Sequence, residues 1–338
     1  MKQRIDFVDL AKGFCILLVV LEHSFSHYDI HTQVDVTLGA FRMPLYFFLS
    51  GLFFKEYEGF GGFIKRKINK LLIPFLFFYL TCSVFLPNVL YVFGYSVRNI
   101  DNIGWLNSLL AVVSPTQRSF SNGPIWFLIC LFIINIIFYL CQILVRKTTA
   151  NDYILLVLSF FIGYIGYYLG KNSIQLPLYI DTALSSLPFY VCGYYLKNKT
   201  DILLPNHLDK YLPLLAVLCL FVTSLIATPT NFQYNVFENF YSLYLGGILG
   251  TLFIIFISKI IKSLPLISYW GRYSIIVLCT HQMVIQFILL FIRNYTLSVW
   301  IIATIAFVVT MGLELLIIPF CCKYLPYVTA QKDVIKVS

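Results

Sequence analysis

Charge is scarce in this chain. Only 12% of its 338 residues are Asp, Glu, Lys or Arg, while 59% are hydrophobic. A soluble domain carries roughly 25% charged residues, so a water-soluble globule is excluded and an integral membrane protein is expected. Acids are scarcer than bases, 15 against 24, and the net charge is +9. That excess could suggest a nucleic-acid partner. The cations, however, lie in short segments between apolar runs, which is a topology signal and not a basic binding face. Metal-ligand spacing is also lacking. Of the nine cysteines, Cys15, Cys82, Cys130, Cys141, Cys192, Cys219 and Cys279 fall within apolar runs, and Cys321-Cys322 close the last one. They read as small apolar packing residues, with no metal site. No small-residue cleavage site follows the first apolar run, so that run is expected to stay as a signal anchor. No internal repeat is visible, which disfavours transporter folds built from repeats.

What the sequence does have is apolar runs of spanning length, near 8–26, 38–54, 71–93, 124–145, 153–170, 176–196, 211–228, 240–261, 270–292 and 297–320. A span needs roughly 17–25 residues. The reading is an all-α polytopic membrane protein with about ten transmembrane helices in a single domain over 1–338. The third span is open to a bend at Pro87. Ten spans put both termini on one side, and the positive-inside rule makes that side cytoplasmic. Eighteen Lys and Arg residues then lie inside, against Arg98, Arg118, Lys171 and Arg293 outside. The longest segment outside the membrane, about 94–123, is expected to be a lid or a re-entrant loop.

The chemistry must therefore sit in the helix bundle. Polar groups in a membrane helix are costly and face a protein interior or a water-filled cavity, so each is a functional candidate. In the first span, eleven positions separate Lys12 from His23. On a helix the two fall within about 20° of one face and about 16 Å apart. The plainer reading is that Lys12 snorkels to the headgroups and His23 closes the span. Arg42, in the returning span, falls at nearly the depth of His23. A histidine facing an arginine there suits proton abstraction beside a developing negative charge; outward snorkelling of Arg42 is an equal alternative. His281, Glu314, Asp181 and Glu22 are further in-span polar groups, for which structural hydrogen bonds are at least as good an account. Asp9 is the simplest partner for Lys12. Lys65, Arg66, Lys67 and Lys70 cluster before the third span. They read either as topology determinants that meet anionic lipid or as a phosphate-binding entrance.

Five motifs in order then resemble the acyltransferase-3 family of bacterial integral-membrane acyltransferases, nearest to the branch of fucose 4-O-acetylases and related sugar O-acetyltransferases. They are Lys12 to His23; Phe41-Arg42-Met43-Pro44 followed by an aromatic run to Ser50-Gly51; Lys65-Arg66-Lys67 and Lys70 leading to Pro74; Gly123-Pro124-Ile125-Trp126; and Gly271-Arg272-Tyr273-Ser274 running to His281-Gln282. The family commonly has arginine where this chain has Lys12 and a lysine-rich stretch before Pro74. Lysine lacks arginine's bidentate phosphate contact.

The resemblance implies a membrane O-acetyltransferase of the bacterial cytoplasmic membrane. It would carry acetyl from cytoplasmic acetyl-CoA, a donor substrate, to a sugar hydroxyl of a surface polysaccharide or its lipid-linked precursor. His23 and Arg42 would be catalytic. Lys12, Lys67, Lys70 and Arg272 would hold the donor's phosphates, and Trp126, His281 and Glu22 would contact the acceptor. Trp126 also fits an interfacial belt residue. Some relatives carry an added esterase-like domain, for which this chain leaves no room. Two other readings stay open: an exporter of a lipid-linked or acylated sugar, and transfer of another acyl group such as succinyl.

Overall fold

Lipid offers no partner for backbone N–H and C=O groups, so apolar runs of this length must satisfy them internally as helices. The computed structural model describes residues 5–26, 32–56, 59–92, 104–114, 118, 121–145, 151–199, 207–292 and 297–336, and these are almost wholly helical. In chain order the helices are α1 (Asp6–Phe25), α2 (Gln33–Leu52), α3 (Gly59–Val92), the short α4 (Trp105–Leu110), α5 (Gly123–Val145), α6 (Asn151–Lys171), α7 (Ile180–Lys199), α8 (Leu212–Ile226), α9 (Ser242–Ile261), α10 (Pro265–Arg272), α11 (Ser274–Ile292) and α12 (Val299–Tyr324). Local chemistry marks some of their starts. Thr32 caps α2 by accepting the Asp35 N–H at 3.2 Å, and Ser298 caps α12 by accepting the Ile301 N–H at 3.4 Å. A two-stranded antiparallel hairpin, Thr230–Asn231 with Val236–Phe237, links α8 to α9.

Among the described residues, seven helices are long and apolar enough to cross a membrane: α3, α5, α6, α8, α9, α11 and α12. The other three expected spans are α1, α2 and α7, each 20 residues long and each carrying polar groups in its interior. These three pack centrally. The interior of α1 contacts α2, α9, α10, α11 and α12, while α2 lies against α7 and α9. Many of their polar residues thus meet protein, and the apolar α6 and α8 take up most contact with the surroundings. Close backbone approach makes this packing possible. A Cβ at Gly271 of α10 would collide with the Asp9 carbonyl, and one at Gly13 of α1 would collide with the Ile267 carbonyl. Small residues at such crossings are how membrane helices gain van der Waals contact without a hydrophobic drive.

The third span departs from the expected bounds. It begins at Gly59, so Lys65 to Lys70 lie on the helix and not in a loop before it. Its course is α-helical except for two π segments, Ile68–Leu72 and Tyr79–Phe85, and Pro87 lies two residues after the end of the second. Such π segments recur at functional sites. The expected lid over 94–123 lies only partly within the described residues. There, α4 rests on α3 through hydrogen bonds from the Tyr79 hydroxyl to the Ser108 carbonyl and from the Asn88 amide to the Ser108 hydroxyl.

Candidate functional site

Helix direction sets the site. α1 begins, α2 ends and α3 begins at one end of the bundle, which gathers Lys12 of α1, Phe53 just after α2, and Lys67 and Lys70 of α3. Together with α5 and α11 they enclose a cavity of about 350 Å³. Its basic end is formed by Lys12, Arg66, Lys67 and Lys70. Its walls are apolar and aromatic, with Phe127, Leu128 and Leu131 on one side and Leu49 and Phe53 on the other. The lysine stems pack on rings, with Lys12 Nζ 5.4 Å from the Phe53 centroid and Lys67 Nζ 5.3 Å from the Phe63 centroid. Cation–ring contact of this kind holds an ammonium near apolar walls.

The far end of the cavity is bounded by Tyr46 on α2 and Leu278 on α11. Arg42 lies four residues beyond Tyr46, and His281 three residues beyond Leu278, or about 5 Å further along each helix. His281 is fully buried, and its ring lies 5.3 Å from that of His23 at a 45° tilt. The His281 Nδ1 faces the Val277 carbonyl at 2.6 Å. A carbonyl only accepts, so Nδ1 carries the proton and Nε2 keeps its lone pair. That Nε2 is buried and has no hydrogen-bond partner among the described residues.

Arg42 is 7% exposed, and its guanidinium is fixed by two carboxylates, Glu22 at 2.7 Å and Asp35 at 3.7 Å. The Cys15 thiol donates to the Arg42 carbonyl at 3.1 Å, tying α1 to α2 at this level. Glu22 is thus an anchor for Arg42 and sits beside His23 in sequence. On the opposite flank, the Thr280 hydroxyl donates to Glu314 of α12 at 2.7 Å, while the second Glu314 oxygen is buried without a partner among the described residues.

The structure brings His23, His281, Glu22 and Arg42 together as two contacting pairs, and groups Lys12, Lys67 and Lys70 around one cavity. Arg272 is exposed and outside the lining; its Nε lies 3.8 Å from Asp9 Oδ2 and links α10 to α1. Trp126 is 5% exposed and packs on Tyr179 at 5.6 Å between centroids. Sequence reasoning missed Asn122. Its amide donates to the Cys279 carbonyl at 2.7 Å and its N–H to Ser83 at 3.3 Å, which holds the segment before α5 against α11 two residues from His281. The Gly123-Pro124 start of the helix was the only available signal for it. Also missed was the role of Arg118, which the sequence places only among the cations outside the spans. It is 3% exposed and forms a buried pair with Asp181. Among the described residues, no group of three or more His, Cys, Asp or Glu side chains is placed to hold a metal ion.

Comparison with curated proteins and with solved structures found no match. A family profile described as an acyltransferase domain matches residues 5–318, nearly the whole chain. The apolar helices, the interior polar cluster and this match together make the chain a multi-pass membrane protein of the acyltransferase-3 family.

Proposed function

We propose that the chain moves an acetyl group from acetyl-CoA to a sugar hydroxyl of a surface polysaccharide or its lipid-linked precursor. The observation that carries this reading is the cavity: basic at one end, apolar along its length, and ending one helical turn short of His281 and Arg42. A phosphate-bearing head joined by a flexible arm to a thioester matches that gradient. The anionic head meets Lys12, Lys67 and Lys70, while the uncharged arm lies between Phe53 and Phe127.

In this scheme His23 removes the proton from the acceptor hydroxyl as its oxygen attacks the thioester carbonyl. The C–S bond breaks, acetyl passes to the sugar oxygen, and the proton returns to the leaving thiolate. Arg42, already oriented by Glu22, faces the negative charge that develops on the carbonyl oxygen. His281 offers its Nε2 lone pair to a hydroxyl proton and so orients the acceptor beside His23. The lysine-rich end would be cytoplasmic, and both termini would lie on that side of a bacterial cytoplasmic membrane.

Purified protein given acetyl-CoA without acceptor tests the reading. Slow release of free CoA, lost in correctly folded His23→Ala, is expected of this enzyme. An exporter would leave acetyl-CoA intact, and that result would remove the proposal. Replacing acetyl-CoA by succinyl-CoA in the same assay separates the acyl groups.

A further inference from the structure

The basic end of the cavity has a neighbour that the reaction does not account for. After α12 the chain does not trail away. Residues 325–336 fold back into a compact knot in which the Gln331 and Lys332 N–H groups both donate to the Pro326 carbonyl, and Ala330 adopts φ +61°. This knot docks on the first π segment of α3. Asn69, wholly buried, is consumed by it: its amide donates to the Ile335 carbonyl at 2.8 Å, and its carbonyl oxygen accepts the Val334 and Ile335 N–H groups at 2.9 Å each. Adjacent Lys70, a cavity-lining cation, donates to the Ala330 carbonyl at 2.8 Å and pairs with Asp333 at 3.0 Å.

Asn69 and Lys70 divide the work. The Asn69 contacts are backbone-directed and buried, so they fasten the segment. The Lys70–Asp333 pair is partly exposed, with side-chain accessibilities of 45% and 35%. Ion pairs of that exposure are worth little and exchange readily. Asp333 therefore places a carboxylate on the cation that an incoming phosphate group would meet.

We propose that the C-terminal segment 325–336 sits beside the basic end of the donor cavity as a competitor for Lys70, with Asn69 as its positioning residue and Asp333 occupying Lys70 until a phosphate group of the donor displaces it. The proposal rests on the donor reading above and adds the exchange. A phosphate group could also come from an anionic lipid, so the test has arms for both sources.

Calorimetry of the full chain in neutral detergent measures CoA affinity for wild type, Asp333→Asn, Lys70→Met and the double variant. Loss of the competing carboxylate should tighten CoA binding about two- to fivefold, the worth of a partly exposed pair. In the Lys70→Met background the same change should do nothing, because the exchange site is gone. Unaltered or weaker binding by Asp333→Asn overturns the proposal. So does a gain that persists without Lys70, which marks a general charge effect.

Trypsin cleavage after exposed Lys332, followed by intact mass, supplies a second readout on wild-type protein. CoA should speed cleavage about twofold in phosphatidylcholine nanodiscs, while staying below the rate of Asn69→Ala, in which the segment is unfastened. Unchanged or slower cleavage overturns the proposal even if Lys70→Met fails to fold. Acceleration by phosphatidylglycerol nanodiscs alone, with no response to CoA, overturns the donor as the displacing group. Folded wild type that binds no CoA brings down the donor reading itself, whereas CoA binding without an Asp333 effect brings down only the exchange.

Discussion

The Glu22 carboxylate lies 2.7 Å from the Arg42 guanidinium, and Glu22 is the residue before His23. The candidate base and the candidate oxyanion partner are therefore set by the same turn of α1. A shift of that turn would move both.

Arg42 should separate stability from chemistry. Arg42→Ala leaves Glu22 and Asp35 without their partner near a buried position. Glu22 and Asp35 are 38% and 45% exposed, so losing these pairs costs about 1 kcal/mol or less, and only a small drop in thermal unfolding temperature in detergent is expected. Glu22→Gln keeps the packing and leaves Asp35 as the only carboxylate on the guanidinium among the described residues. It should remain folded and lose about 10- to 100-fold in kcat through misorientation. Wild-type turnover in folded Glu22→Gln would show that Glu22 does not set the chemistry.

His281 should behave as an orienting group. His281→Asn retains a side chain that can donate to Val277 but replaces the imidazole lone pair. The expected result is a KM for acceptor raised about tenfold, the loss of about one hydrogen bond, with acceptor-independent release of CoA retained. His23→Ala should lose both activities. Equal loss of both activities in His281→Asn would place His281 in the proton transfer itself.

Neutralising Lys67 and Lys70 together should raise the KM for acetyl-CoA more than it lowers kcat, because contacts to a remote phosphate contribute uniform binding. The difference from wild type should shrink in high salt. Affinities for CoA and dephospho-CoA that both stay at wild-type values in the folded double variant would remove these lysines from the donor site.

Two glycines give opposite expectations. At Gly271 an added Cβ would strike the Asp9 carbonyl, so Gly271→Ala must push α10 from α1 and should reduce the folded yield. At Gly312 of α12 nothing lies within 4 Å of such a Cβ. There, alanine should be neutral or should stabilise by about 0.5–1 kcal/mol through a stiffer helix. Size-exclusion profiles of the two variants in detergent decide the comparison; equal profiles would contradict the packing described for α1.

The helical class could be read from the length of the apolar runs, and the Lys12–His23 spacing from helix geometry, since both depend on one element at a time. Contacts between elements were harder. Arg118 reads from the sequence as a cation outside the spans, yet its partner is 63 positions away, and its guanidinium also reaches the carbonyls of Leu176 and Gln233. No local pattern encodes that convergence. Asn69 stood unnoticed between two lysines because an asparagine in a basic stretch resembles any solvated residue. Its burial depends on a segment more than 260 positions later. The three helices α1, α2 and α7 fall short of the composition of ordinary spans for a physical reason: the polar residues that lower their hydropathy are those that build the site and its supports.

The two π segments of α3 also bear on distance. Leu71, Phe75, Tyr79, Ser83 and Pro87 are all buried, one every fourth residue. On a regular α-helix a row at that spacing would wind about 160° around the axis from first to last. A π turn holds about 4.4 residues, so each of its residues takes back about 18° of that drift. The residues of the row's π stretches return nearly all of it. The row stays on one straight line, from Leu71 beside the lysines to Ser83 beneath Asn122. One helix thus keeps a single face toward the bundle along its length, as a stave that does not twist. The cavity and the segment that braces α11 near His281 are gauged against the same edge.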